Sequence, residues 1–266
     1  MANIKNPLVS IIIPVYCREQ FVRKTLENVY ANNYRPIELI LVNDGSKDRS
    51  LDVLQAFQQQ YSNSQFNIKI LDQENKGAPA ARNLGYANAT GDFIQFLDSD
   101  DFISPEKFEV QMALMNREYA DFGLCDFEMI YVDQDERVYH SNAEKLKKVL
   151  RTHGSFGCGS PLLKRELADK IYWDTRLKRN QDVDYFQKAA LLATAISYTP
   201  SALYMYVRHG DERISMTYDK TNPVYGLRIR SLLKTWKYNR NRFYLLLALK
   251  NLTLSLFRYK VGNKQK

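Results

Sequence analysis

Four short apolar runs, each closing on a polar cluster, constrain this chain more than any other feature of it. The runs cover residues 8–15, 37–42, 68–71 and 93–97 and are rich in β-branched side chains. Between them lie segments with helical spacing: Phe21, Val22, Thr25, Leu26 and Val29, then Leu51, Val53, Leu54 and Phe57 behind a cap at Asp48. Alternation of this kind is how βαβ units around a parallel sheet appear in sequence. Open sheets of that type take their ligands beyond the carboxyl ends of the strands. The clusters sit there: PVY after the first run, NDGS after the second, DQENKGAPAARN after the third and DSDD after the fourth.

The second half is less regular. ADFGLCDFEMIYVD followed by ERVYH predicts an antiparallel excursion, RNQDVDYFQKAALLATA a helix, and ISYTPSALYMYVRH one or two further strands. No Pro/Gly-rich linker and no internal repeat separates the halves, so the reading is one mixed α/β domain with a C-terminal helical appendage. No G-x-G-x-x-G and no G-x-x-x-x-G-K-[ST] occurs in the strand-end loops, which argues against a dinucleotide fold and a P-loop phosphotransferase. No G-x-S-x-G elbow is present either. Cys17, Cys125 and Cys158 are odd in number and widely spaced, so neither a disulfide framework nor a zinc knuckle is expected. The first sixteen residues have no basic region before the apolar run and read as a first strand rather than a signal peptide, pointing to the cytoplasm.

Three D-x-D triplets occur, and context separates them. Asp133/Asp135 lies in a polar turn, YVDQDER, and reads as solvated. Asp98/Asp100 closes a strongly apolar strand, where neighbouring carboxylates raise one another's pKa unless a cation sits between them. A hard divalent ion, Mn²⁺ or Mg²⁺, completed by diphosphate oxygens, is the simplest partner, with Asp100 as its main ligand. Asp101 then need only lead into the helix of SPEKFEV, which Ser104 and Pro105 are suited to start. In Asp182/Asp184, Asp184 suits a helix start favoured by the helix dipole.

In order and at the expected intervals, SIIIPVYCREQFVRKTLENV, ELILVNDGSKDRS, NKGAPAARNLGYANATGDFIQFLDSDD, NQDVDYF and YVRHGDERIS resemble the successive motifs of family 2 glycosyltransferases of the GT-A fold, bacterial cell-surface polysaccharide type. The resemblance covers residues 7–217. It implies a single mainly parallel sheet flanked by helices, with residues 1–102 as the nucleotide-sugar half and 103–219 as the acceptor and catalytic half. It further implies a UDP-sugar donor, a glycan or lipid-linked acceptor, and inversion at the anomeric carbon. Carried across by position, Pro14 and Tyr16 flank the uracil and Asp44 accepts from its N3. Arg82 approaches the diphosphate or the base edge with Lys76 as helper. Asp98 meets the ribose or the metal, Ser99 lies in the same binding loop, and Asp100 is the metal ligand. Asp182 occupies the place of the catalytic base, while Gln181 replaces the Glu usual before it. His209 matches a position that either completes the metal shell or touches the diphosphate, and a plain turn histidine is the competing reading.

The charge is uneven. Residues 220–266 hold twelve Lys/Arg and no Asp/Glu, so the net +8 of the chain belongs to its tail. Ile229, Leu232, Leu233 and Trp236 share one helical stripe flanked by Arg230, Lys234 and Lys237. Such a helix either lies on an anionic membrane surface or docks its apolar stripe on the domain. The stretch 243–257 is too short to span a bilayer. No nucleic-acid motif accompanies the basic tail, and an acidic site argues against that partner.

Overall fold

The computed structural model describes residues 6–143, 146 and 156–208. The chain divides into two compact units, Met1–Trp173 with Asp182–Gly210, and Asp174–Gln181 with Asp211–Lys266. Of the second, only 174–181 lies among the described residues, where Asp174 accepts hydrogen bonds from the Arg176 side chain and Gln181 donates to the Leu177 carbonyl. His209 and the basic tail 220–266 lie outside the described residues.

The first unit is built on one mixed sheet. Strands β1 (Val9–Val15), β2 (Ile37–Asp44), β3 (Phe66–Gln73) and β4 (Phe93–Phe96) coincide with the four apolar runs and pair in parallel in the order β3-β2-β1-β4. Val9 stands opposite both Ile37 and Phe93, which brings three strand ends into register. Helices α1 (Val22–Tyr30), α2 (Ser50–Tyr61) and α3 (Ala78–Ala87) provide the crossovers. Two short strands escape the sequence reading: β5 (Phe102–Ile103) and β8 (Pro161–Lys164). Between them come α4 (Lys107–Arg117), then β6 (Phe122–Tyr131) and β7 (Glu136–His140), which form the expected antiparallel hairpin. The chain continues through α5 (Arg165–Ala168), α6 (Gln181–Leu192) and one long strand, β9 (Ile196–Arg208). The described part of the sheet runs β3-β2-β1-β4-β8-β6-β9-β5, with β7 beside β6.

Side-chain alternation along β1 divides the core between the two faces of the sheet. Ile11 and Ile13 pack with Leu26, Val29, Leu54 and Phe57, whereas Ile12 joins Ile40, Val42, Ala81, Trp173, Tyr185 and Phe186. All eight residues of β2 are buried, as expected of a strand covered on both faces, while edge strand β3 is partly exposed. Helix α3 lies so close to the sheet that a Cβ on Gly85 would stand 2.5 Å from Ile12 Cγ2. That approach carries Arg82, one turn earlier on α3, to the β4 end.

Candidate active site at the strand ends

The β1–α1 turn presents Tyr16, 46% exposed, directly after β1. Pro14 sits inside β1 opposite Val42. The turn is tied to the β2–α2 loop: Cys17 N–H donates to Ser46 Oγ at 3.1 Å and Arg18 N–H to Ser50 Oγ at 2.8 Å. The cap position of α2 is Arg49 rather than the expected Asp48, which stands one residue earlier and accepts Ser50 N–H at 3.0 Å and Glu19 N–H at 3.1 Å.

Asp44, at the end of β2, is buried and organises the next loop. Its Oδ1 accepts Lys76 N–H at 2.8 Å and Gln73 Nε2 at 2.6 Å, and its Oδ2 accepts Gly77 N–H at 2.9 Å. Gly77, at φ +85°, makes that turn affordable, since a side chain there would be strained. Asp44 is therefore a loop anchor whose Oδ2 retains a lone pair for a further donor. The Lys76 side chain is exposed beside it.

Arg82 is buried, yet its guanidinium donates to Asp98 Oδ1 at 2.6 Å and lies 4.4 Å from the centre of the Trp173 ring. Burial works to lower its pKa, but surrounding negative groups, Asp98 and Asp182 among them, raise it above the usual arginine value. Burial first, then Asp98, pushes the neighbouring Cys158 thiol well up, and Asp98 is the carboxylate that bonds the Arg82 guanidinium. Arg82 of α3, Asp98 just beyond β4 and Asp182 of α6 are thus linked electrostatically.

The three aspartates after β4 are not equivalent. The Asp98 and Asp100 side chains are 31% and 28% exposed, Asp98 against Arg82 and Asp100 with its Oδ2 3.7 Å from Arg18 Nε. Ser99 between them is buried, and its carbonyl accepts Thr25 Oγ1 at 3.0 Å, which pins the loop to α1. Asp101 is fully buried and accepts hydrogen bonds from Tyr204 Oη and, at 2.9 Å, from Val207 N–H. This corrects the expectation that Asp101 merely leads into α4: it fastens the β4 end to β9, which no local pattern reports. Nor does a side chain cap α4. Burial, reinforced by Asp98 and Asp100, raises the Asp101 pKa well above the ordinary carboxylate range.

Asp98 and Asp100 are the two carboxylates left partly exposed at this strand end, each beside an arginine. Among the described residues no three metal-ligating side chains form a complete cage, and a pair of carboxylates completed by phosphate oxygens is how Mg²⁺ is commonly held. On α6, Asp184 is buried with its Oδ2 2.6 Å from Lys188 Nζ, so it is a structural ion pair rather than a group facing solvent. Asp182, one residue into the helix, is half-buried. The Asp133/Asp135 triplet lies at the turn between β6 and β7, as read. In the segment 156–160, Phe156, Cys158 and Ser160 are buried, and the Cys158 and Gly159 carbonyls accept Gln95 Nε2. The sequence reading missed Arg18 and Trp173. Arg18 carries no local signal, but Trp173, a bulky aromatic ahead of the Asp182 motif, could have been flagged as packing near it.

Comparison with known proteins fits this geometry. A family model for glycosyl transferase family 2 matches residues 10–184. Glycosyltransferase GlyA of Streptococcus pneumoniae is 29% identical over 221 residues, covering 76% of this chain and 31% of GlyA. EpsH of Bacillus subtilis is 28% identical over 218 residues, covering 77% of this chain and 62% of EpsH. The chain thus spans less than two thirds of either relative. Among solved structures, S. aureus TarS 1-349 with UDP-GlcNAc superposes with a TM-score of 0.70 at 22% identity, over 85% of this chain and 66% of that one. The mannosyltransferase PcManGT from Pyrobaculum calidifontis, with GDP-Man and Mn²⁺, gives 0.60 at 16% identity over 95% and 76%.

Proposed function

The chain belongs to glycosyl transferase family 2 and has the GT-A fold, and from that premise we propose that it moves a hexose or N-acetylhexosamine from a UDP-sugar to a hydroxyl of a glycan or lipid-linked acceptor, inverting the anomeric carbon. The acceptor would belong to cell-surface polysaccharide or lipopolysaccharide synthesis. The observation that carries this reading is the ion pair of the buried Arg82 with Asp98 at the β4 end, a cation on which Asp182 of α6 also acts electrostatically. TarS, solved with UDP-GlcNAc, supports the choice of donor.

In this reading Tyr16 offers an exposed ring to the base beside Pro14, and Asp44 accepts from it through Oδ2. Arg82 faces the diphosphate with a charge that stays on at any physiological pH. Asp98 and Asp100 hold Mn²⁺ or Mg²⁺, which when bound supplies charge neutralisation for the leaving diphosphate. Asp182 takes the acceptor hydroxyl's proton as the new C–O bond forms and the C–O bond to the diphosphate breaks. Asp184 is excluded from that role because Lys188 already holds it. Gln181 leaves the acceptor one carboxylate fewer to meet.

The test is UDP release from a panel of UDP-sugars with Mn²⁺, with GDP-mannose included because PcManGT is solved with GDP-Man. Turnover should be abolished by EDTA, restored by Mn²⁺, and lost in Asp182→Asn and Asp100→Asn. Unchanged turnover in both variants would sink the assignment.

A further inference from the structure

Trp173 touches α3, α6 and the strand that leads to Asp98. Its ring lies 4.4 Å from the Arg82 guanidinium carbon. It stacks on Tyr185 at 4.3 Å with 9° between planes, and meets Phe96 edge-on at 5.1 Å. Phe96 ends β4 two residues before Asp98, and Tyr185 stands one helical turn after Asp182 on α6. The Trp173 backbone is fixed as well: its N–H donates to Asn83 Oδ1 at 2.9 Å and its carbonyl accepts Asn83 Nδ2 at 2.8 Å, next to Arg82 on α3.

We propose that Trp173 is a positioning residue that holds the Arg82 guanidinium and the helix bearing Asp182 in a set relation, so that the donor's diphosphate and the acceptor's proton are met in one geometry. The inference rests on the glycosyltransferase reading above. Simple core filling does not account for the residue. The indole is 1% exposed and its Nε1–H has no hydrogen-bond partner, a cost that phenylalanine or leucine would avoid in the same space. What indole adds is the broadest electron-rich face for a cation. A stacked guanidinium keeps its N–H groups in plane, directed at carboxylate and phosphate oxygens, which a lysine could not reproduce.

The experiment uses the full chain. Trp173→Leu should lower kcat by about tenfold to a hundredfold, the scale of a small misplacement of reacting groups. Trp173→Phe, which keeps a ring, should recover part of the loss, and it carries the test if the leucine variant fails to fold. In an Arg82→Lys background the Trp173→Phe loss should largely vanish, because both changes act through one contact. A kcat within about twofold of the parent in folded Trp173→Phe and Trp173→Leu, or losses that multiply independently of Arg82, would overturn the proposal. A parent chain that releases no nucleoside diphosphate from any donor fails the glycosyltransferase reading instead. The contact is then still tested with Trp236→Phe, which leaves Trp173 as the one tryptophan of the two. Its emission should change on Arg82→Lys, and an unmoved spectrum rejects the coupling.

Discussion

Two aspartate clusters converge on this site and divide their labour in the same way. After β4, Asp101 is buried and bonded to Tyr204 and Val207, while Asp98 and Asp100 stay about a third exposed beside arginines. On α6, Asp184 is 1% exposed and locked to Lys188, while Asp182 is half-buried within the field of Arg82. In each cluster one carboxylate is buried and fastened inside the fold while its neighbour stays partly exposed. Burial separates the two kinds within each cluster.

Substitutions can break this division. The largest effect is expected at Asp182: the asparagine variant should lose about 10²–10⁴-fold in turnover, the usual contribution of a general base, with no change in melting temperature. Asp184→Ala should do the reverse. Breaking this buried pair should cost up to about 3–5 kcal/mol of stability, read from urea or thermal unfolding, and an unaltered unfolding curve would remove Asp184 from the scaffold. A third structural carboxylate, Glu38 in β2, accepts from Lys69 at 2.5 Å, from Ser10 and from Thr90. Burial alone would raise its pKa, but those donors hold it below the usual value. Its folded pKa lies below its unfolded one, about 4.3, so its contribution is complete above that pH and is lost as pH falls through the folded value. Glu38→Gln should cost about 1–3 kcal/mol at pH 7, and the gap to the parent should close in unfolding curves taken toward pH 3. The smallest effect is expected at Arg18. The pair with Asp100 is long and partly exposed, so Arg18→Ala should change stability by less than about 1 kcal/mol, and less still in high salt. A larger loss would place Asp100 with the scaffold carboxylates.

Much of this was legible in the chain. The strands β1 to β4, their crossovers, the β6–β7 hairpin and α6 all carry periodic apolar patterns long enough to read. The lysine partner of Asp184 is four residues on, within the spacing that pairs side chains on one helix face. What escaped was short or non-local. β8 has four residues and opens on proline, and β5 has two, so neither shows a period. Asp101 and Tyr204 are 103 positions apart, and Arg82 and Trp173 come from elements with no common local pattern.

The sequence by itself determined where polar groups would gather, because alternation of apolar runs and helices leaves the strand ends as the place where backbone and side-chain polarity emerges from the core. Which of those groups would stay near the surface and which would be buried was decided only by tertiary structure. Asp98, Asp100 and Asp101 are chemically identical and stand within four positions of one another. Their fates diverge because β9 arrives to bury one of them, while Arg82 and Arg18 meet the other two at the surface.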